Sequence, residues 1–140
     1  MGSDSLANLL GNGLKAEPVD RNECQGLLDS AMDRLRDAHS PALKFASRFD
    51  LAYNAAHALA LVALRLQGYR SDRRYLVFQC LVHTLELSKV QVRLFALCHE
   101  RRNLAEYEGY MAVDDAMLAE LLTATDALLV RVQAAMATMF

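Results

Sequence analysis

The 140-residue chain has few cysteines, and no regular spacing separates them. An odd set, Cys24, Cys80 and Cys98, does not make a disulfide framework. No basic start followed by a long apolar run occurs near the N-terminus, so the sequence predicts no secretory signal. The longest mostly apolar segment, 51–64, is too short to cross a bilayer. These absences predict a cytoplasmic protein without a membrane partner.

An excess of charge of one sign is missing as well. The formal net charge is −2, from 15 Lys and Arg against 17 Asp and Glu. This near balance excludes a global attraction to nucleic acid or to an anionic membrane, so any nucleic-acid contact must be local. Hydrophobic residues make up 54% of the chain and charged residues 23%, a balance typical of one globular domain rather than a disordered chain.

Sequence motifs of common enzyme classes are absent. The chain contains no glycine-rich phosphate loop, no Walker pattern and no serine nucleophile elbow. Cys80 and His83 have the spacing of zinc ligands, but Cys98 and His99 are adjacent and would point about 100° apart on a helix. We therefore predict no metal and no cofactor, with the cysteines packed as small apolar side chains.

Helical periodicity is what the sequence does contain. Residues 1–19, with three glycines and one proline, predict a flexible N-terminal lead-in. Residues 20–140 form a single predicted domain with no strand alternation and no internal repeat. Its helices are predicted at about 21–38, 41–67, 73–86, 89–107 and 115–138. Short connections between long helices favour antiparallel neighbours, so the fold class is all-α, an antiparallel up-and-down bundle of four to five helices.

Capping residues support several of these helix ends. Ser88 and Gln91 have the spacing of a capping box, and Gly109 can stop the helix that begins there. Ser40 is predicted to cap the second helix, with Pro41 in its first turn. The middle of that second helix is apolar almost all round, which predicts a central position in the bundle.

The fourth predicted helix becomes densely polar near its C-terminal end. At about 100° per residue, one arc collects His99, Arg102, Asn103 and Glu106, and Tyr110 if the helix extends that far. Arg102 and Glu106 are spaced to pair, and Tyr107 lies one turn beyond Asn103. Polar side chains at the end of a core helix cost stability unless they are paired or used. We therefore expect function here, with a solvated helix end as the structural alternative.

Two other polar features are candidates for the same site. Asn54 and His57 lie three residues apart inside the apolar second helix, either as satisfied core residues or as groups that position the polar arc. Arginines surround the turn after the second helix and recur in the fourth: Arg65, Arg70, Arg73, Arg74, Arg101 and Arg102. They form either a local phosphate-binding patch or ordinary surface charge.

Two segments carry a family resemblance. The first runs Arg48-Phe49-Asp50-Leu51-Ala52-Tyr53-Asn54-Ala55-Ala56-His57-Ala58-Leu59 and closes on Gly68-Tyr69-Arg70, and the second runs Arg101-Arg102-Asn103-Leu104-Ala105-Glu106-Tyr107. Together they resemble the HEPN superfamily, the helical domains named for higher eukaryotes and prokaryotes nucleotide-binding. The first is similar to the family's Tyr-rich and Ala-rich second helix. The second is similar to its signature of an Arg, often followed by Asn, then four to six residues and a His.

This resemblance, which covers roughly residues 20–140, implies a bundle that usually forms a homodimer with the Arg segments near the interface. Many such domains are metal-independent ribonucleases, others are toxins paired with a minimal nucleotidyltransferase antitoxin, and some are binding or scaffold modules. Carried over, Arg102 matches the signature Arg, with Arg101 as the second candidate, and Asn103 matches the Asn. Tyr107 stands where the His is expected. In active members the Arg stabilises phosphate charge and the His transfers protons.

A Tyr in the His position shifts the prediction from catalysis toward binding. Free Tyr titrates near ~10 against roughly 6.5 for His, which makes Tyr a poor base. We expect a HEPN-like nucleotide- or RNA-binding or partner-binding module, in a toxin–antitoxin or defence system with a nucleotidyltransferase. One alternative is a metal-independent ribonuclease using 2′-hydroxyl attack, with Arg102 on the phosphate and Tyr107 or His99 transferring protons. The other is a purely structural dimerisation bundle. The predicted binding residues are Arg101, Asn103, Glu106, Asn54, His57 and Arg70.

Overall fold

Four long helices dominate the computed structural model, which describes residues 6–109 and 113–140. In chain order its elements are β1 Lys15–Ala16, α1 Arg21–Ala38, α2 Phe45–Leu66, β2 Tyr69–Arg70, α3 Arg74–Gln79, α4 Leu81–Thr84, α5 Lys89–Glu108 and α6 Asp115–Met139. The predicted all-α helical bundle is confirmed, with a two-residue strand pair added to it.

The central helix is α2, as its apolar composition predicts. It contacts α1, α3, α4, α5 and α6, so every other described helix packs on it. Fully buried alanines such as Ala52, Ala55 and Ala56 carry little side-chain volume and allow the neighbouring helices to approach closely. Despite this apolar surface, none of the described helices is long and apolar enough to cross a bilayer.

Capping residues set both ends of α5. The Ser88 hydroxyl accepts a hydrogen bond from the Gln91 backbone N–H at 3.1 Å, and Gln91 Oε1 accepts one from the Ser88 backbone N–H at 2.9 Å. The predicted capping box is thus present. Gly109 ends the helix in the left-handed conformation, with φ of 77°, which a glycine adopts without the penalty of a Cβ. Tyr110, placed by the sequence on the polar arc, lies outside the described residues.

Two predicted helix boundaries are wrong. The second helix starts at Phe45 rather than at 41, because Ser40 and Leu43 form a turn in which the Leu43 N–H donates to the Ser40 carbonyl at 3.3 Å. Lys44 precedes the helix without a side-chain cap. The third predicted helix, 73–86, is divided into α3 and α4 at Cys80, whose backbone stays in the right-handed helical region.

Residues 6–16, predicted as part of the flexible lead-in, add packed structure to the domain. Leu6 and Leu14 are buried in the core, and β1 pairs antiparallel with β2 in a register that opposes Lys15 to Arg70. Two-residue strands are too short for alternation to reveal in a sequence. The packed domain therefore includes residues that precede position 20, while residues 1–5 lie outside the described part of the chain.

The buried side chain of Arg65, in α2, connects this strand pair to α1 and α2 through hydrogen bonds. The Nε of Arg65 donates to Glu23 Oε1 at 2.6 Å, and Nη1 donates to the carbonyls of Glu17 and Tyr69 at 3.0 and 3.2 Å. Its Nη2 donates to the Pro18 carbonyl at 2.6 Å and lies 3.4 Å from Glu17 Oε2. Four hydrogen bonds and two carboxylates thus surround the guanidinium. Because unpaired buried charge is costly, this pairing is what makes the burial of Arg65 possible.

The three cysteines are buried thiols that form no disulfide. Burial raises the pKa of Cys24, and it raises the pKa of Cys80 to about 11 and that of Cys98 to about 12. Since the thiolate is the reactive form, these side chains are inert while the domain is folded.

Candidate functional site

A polar stripe interrupts the apolar surface of α2 in its N-terminal half. Tyr53, Asn54 and His57 lie three, four and seven residues after Asp50, which places all four on one face of the helix. Tyr53 is only 1% exposed. Residues of α3 and α5 form the other side of this stripe, and together they make a cluster that we call the Tyr53 cluster. Its members are Asp50, Tyr53, Asn54, Arg74, His99, Arg102, Asn103 and Glu106.

Carboxylates from two helices hold Arg102. Its Nε donates to Asp50 Oδ1 at 3.0 Å, and its Nη1 donates to Glu106 Oε1, the pairing predicted from their spacing. Asn54 Nδ2 in turn donates to the Asp50 backbone carbonyl at 2.9 Å and to Asp50 Oδ2 at 3.3 Å. The Arg102 side chain is 28% exposed. The guanidinium is therefore fixed in direction yet still reachable from solvent.

A second guanidinium comes from α3. Arg74 Nη1 donates to Asn54 Oδ1 at 2.8 Å, so Asn54 positions Arg74 and, through Asp50, Arg102. The Cζ atoms of both arginines lie 5.6 Å from the ring centroid of Tyr53, within the range of a cation–π contact. Within the described residues, Arg102 Nη2 makes no hydrogen bond, and Arg74 bonds only to the side chains of Asn54 and Tyr53. Since a guanidinium carries five N–H groups, both arginines keep donors that are available to a ligand.

His99 joins α5 to the buried phenol. Tyr53 Oη lies 2.8 Å from His99 Nδ1, and Asn103 Nδ2 lies 3.1 Å from His99 Nε2. With the Asn103 amide in this orientation, its N–H donates to Nε2, which leaves the ring proton on Nδ1 to be donated to the Tyr53 oxygen. The half-exposed ring of Tyr75 covers His99 from α3, with centroids 6.0 Å apart.

Burial and positive charge keep both histidines of this region neutral. Desolvation lowers the pKa of His99, and the charges of Arg74 and Arg102 lower it further. Desolvation, with Arg74 and His99, lowers the pKa of His57 to about 4, and its ring packs edge-on against Phe78 at 5.9 Å. Burial raises the pKa of Tyr53, against the opposing effect of Arg74. At neutral pH the cluster therefore offers a neutral imidazole and a protonated phenol.

Other residues predicted for the site lie apart from the cluster. Tyr107 is 89% exposed, and five residues past Arg102 its side chain points about 140° away around the helix. Arg70 instead pairs with Glu17, its Nε donating to Oε2 at 2.8 Å, and with Glu23. Arg101 is partly exposed and, within the described residues, forms no ion pair. His57 borders the cluster through its contact with Phe78.

The sequence does not predict three members of the cluster, Asp50, Tyr53 and Arg74, as residues of this site, nor Tyr75, which covers His99. The spacing of Asp50 and Tyr53 relative to Asn54 and His57 is a signal that could have identified Asp50 and Tyr53.

Over residues 6–109 and 113–140, no group of three His, Cys, Asp or Glu side chains could hold a metal ion. No family model, curated protein or solved structure matches the chain.

Proposed function

We propose that the Tyr53 cluster binds a phosphate group of RNA or of a nucleotide, and that the chain is a HEPN-like nucleotide- or RNA-binding module. The observation that carries the proposal is the pair of guanidinium groups beside Tyr53, each with N–H donors that no described protein atom accepts. A planar guanidinium presents parallel donors that match phosphate oxygens. His99 and Asn103 add neutral hydrogen-bonding groups next to Arg102.

The carboxylates of Asp50 and Glu106 set the strength of such binding. They hold Arg102 in one direction, which reduces the entropy lost when a ligand is bound. They also offset the two positive charges of Arg74 and Arg102, so the cluster as a whole is close to neutral. Since the chain carries a net charge of −2, long-range attraction does not help. We therefore expect modest affinity from a few phosphate contacts, easily weakened by salt.

Fluorescence anisotropy with a labelled single-stranded RNA tests this proposal. We expect binding that weakens with salt, at a slope of about −0.7 per phosphate contact. Arg102→Ala should weaken binding by about tenfold or more, because it removes a charge-assisted hydrogen bond. Arg34→Ala, an exposed arginine of α1, is the matched control and should leave the affinity unchanged.

Two outcomes would overturn the proposal. One is equal affinity of the wild type and Arg102→Ala, which would place the RNA elsewhere on the surface. The other is the absence of RNA and nucleotide binding at low salt, which would leave the cluster as a device that joins α2, α3 and α5. The purely structural dimerisation bundle would then be the better description.

His99 supports a second candidate function, a metal-independent ribonuclease. Its imidazole lies in the cluster, and its lowered pKa leaves it neutral and able to accept a proton near pH 7. In this reaction the Asn103 amide moves off Nε2 of His99, the ribose 2′-oxygen attacks phosphorus, and its proton passes to that nitrogen. The bond from phosphorus to the 5′-oxygen breaks, and the departing 5′-oxygen takes a proton from water. Arg102 stabilises the phosphate charge that develops. Tyr107 points away from the Tyr53 cluster and takes no part in this reaction.

Incubation of the purified protein with RNA in the presence of a chelator tests the ribonuclease. Cleavage by the wild type that is lost in both Arg102→Ala and His99→Ala, but kept in Tyr107→Phe, would support it. Equal cleavage by all four proteins would indicate a contaminating nuclease. No cleavage by the wild type would remove the ribonuclease and leave the binding module intact.

The HEPN resemblance supports one further part of the proposal, a partnership with a minimal nucleotidyltransferase in a toxin–antitoxin or defence system. An adjacent gene for such an enzyme would favour it. Copurification of the two proteins from a strain that expresses both would test it directly. A failure of the pair to associate would remove the partner without touching the phosphate site.

A further inference from the structure

The outward face of α5 carries a row of side chains at the spacing of a helix–helix contact. We call it the α5 seam, and its members are Val90, Arg93, Leu97, Glu100, Leu104 and Tyr107. Three aliphatic residues recur every seven positions, the repeat of a helical seam. Val90 is 80% exposed, Leu97 38%, Leu104 45% and Tyr107 89%.

An apolar row on this side of the helix is unexpected, because α5 already buries its other side. Val92, Phe95 and Cys98 face the bundle. A helix that packs on one side only normally presents charged and polar residues to water. Exposed aliphatic side chains that recur every seven positions are typical of a helix–helix contact. The α5 seam therefore has the composition of a contact surface for another helix.

We propose that the α5 seam binds the α5 seam of a second copy of this chain, with the two helices antiparallel. The charges of Arg93 and Glu100 determine which surface the seam binds and whether the two α5 helices run parallel or antiparallel. Arg93 and Glu100 lie seven residues apart on either side of Leu97. In an antiparallel two-fold pairing, Arg93 of each copy meets Glu100 of the other, which gives two equal ion pairs. A parallel pairing would put Arg93 beside Arg93 and Glu100 beside Glu100.

The same pairing accounts for the apolar members. An antiparallel alignment brings Leu97 of the two copies close to the symmetry axis, and it carries the end with Leu104 and Tyr107 toward Val90 of the second copy. Tyr107 thus packs on the partner rather than in the Tyr53 cluster. Within the described residues, neither Arg93 nor Glu100 has an ion-pair partner in its own chain, so both are available to the second copy.

One row of side chains is narrow for a stable dimer, since specific interfaces bury about 800 Å² per partner. The surface beside the seam supplies more. Tyr75 of α3 is 47% exposed, and a groove lined by Tyr75, Arg93, Ala96, Leu97 and Glu100 runs alongside α5. The contact therefore extends from α5 onto α3. Through Tyr75, which covers His99, the contact adjoins the Tyr53 cluster, but Arg102 is held by Asp50 of α2 and is not part of the seam.

Charge reversal tests the proposal with the full chain and without RNA. Sedimentation velocity should find a dimer of the wild type at concentrations of tens of micromolar, on the order expected for a small interface. Arg93→Glu alone and Glu100→Arg alone should each weaken dimerisation by about tenfold or more, since each places like charges together at two symmetric contacts. The double variant restores both ion pairs and should dimerise as the wild type does.

Mixing the two single variants gives the sharper result. A copy with Arg93→Glu and a copy with Glu100→Arg restore both ion pairs across the interface, so two weakly associating proteins should form a heterodimer. Arg34→Glu on α1 is the matched control and should dimerise normally. Far-UV circular dichroism of each variant checks the fold, which these exposed substitutions should leave intact.

A monomeric wild type, single variants that dimerise normally, or a mixture that stays monomeric would each overturn the antiparallel α5 pairing. None of these results would bear on RNA binding, which is measured separately on the Tyr53 cluster.

Discussion

Tyr53 and His99 meet through a 2.8 Å hydrogen bond although 46 positions separate them in the chain. Tyr53 belongs to the central helix and His99 to the helix with the polar end. Because a buried hydroxyl needs a partner, this contact fixes α5 against α2 at the point where Arg102 and Asn103 emerge. The direction in which the polar side chains of α5 face therefore depends on the hydroxyl of Tyr53, which belongs to α2.

Replacing Tyr53 by Phe keeps the ring and removes only the hydroxyl. We expect Tyr53→Phe to lower the free energy of unfolding by about 1–2 kcal/mol, because His99 Nδ1 loses its partner at a partly buried site. Urea unfolding measures the loss. Tyr75→Phe is the control, since no described protein atom pairs with the Tyr75 hydroxyl, and it should change stability by less than about 0.5 kcal/mol. Equal effects of the two substitutions would contradict the importance of the Tyr53–His99 bond.

Arg65→Met should be far more damaging than a surface substitution. The change leaves three backbone carbonyls and Oε1 of Glu23 without the donor that Arg65 supplies, and breaking a buried ionic network in this way costs about 3–5 kcal/mol. Arg36→Met, at an exposed arginine with an i,i+3 partner, should cost little. Guanidinium chloride unfolding of both variants makes the comparison. A loss at Arg65 as small as that at Arg36 would show that the strand pair holds without the arginine.

His57 should make the domain sensitive to acid. Its pKa of about 4 in the folded chain lies below the value of about 6.5 expected in the unfolded chain. Between these values the unfolded state binds more protons, so stability falls as the pH is lowered from about 6.5 toward 4, by up to about 3 kcal/mol. His99 contributes in the same direction.

Urea unfolding at several pH values between 7.5 and 4.5 checks this dependence. His57→Gln should lose less stability than the wild type over the same pH range, whatever its stability at pH 7.5. Acidic groups titrate in both proteins, so the difference between the two pH profiles isolates the histidine. Parallel profiles would exclude His57 as the sensitive group.

The capping box of α5 should contribute measurably to stability. Ser88→Ala removes the acceptor for the Gln91 N–H and should cost about 1 kcal/mol, which lowers the melting temperature by about 3 °C for a domain of this size. Ser88→Asp keeps a side-chain acceptor at the same position and should retain most of that stability. A melting temperature lowered equally by both would show that the Ser88 hydroxyl does not act as the cap.

Local signals in the sequence predict much of the fold. The bounds of α1, α5 and α6 follow from capping residues and apolar spacing, because those interactions act within a few residues along the chain. The start of α2 was missed because a serine and a proline that resemble a helix start form a turn instead. The β1–β2 pair could not be predicted, since its stability comes from Arg65 and its backbone acceptors, which are distant in sequence.

The candidate site, like the fold, is predictable from the sequence only where it depends on spacing within one helix. His99, Arg102, Asn103 and Glu106 share one side of α5 because their spacing requires it. Their partners on α2 and α3 depend on how the helices pack, which spacing within one helix cannot give. Tyr107 shows the limit of matching a signature by position, since a residue that stands at the expected place in the sequence points elsewhere in space.

The three buried thiols allow the local opening of the native domain to be measured by chemical labelling. A thiol reagent reacts with the thiolate, and burial suppresses that form at Cys24, Cys80 and Cys98. Labelling must therefore wait until α1, the α3–α4 junction or α5 separates from the core. The rate at each cysteine, followed by mass spectrometry of peptides, reports how often that part of the domain opens. The order of the three rates would reveal which helix leaves first, without any change to the sequence.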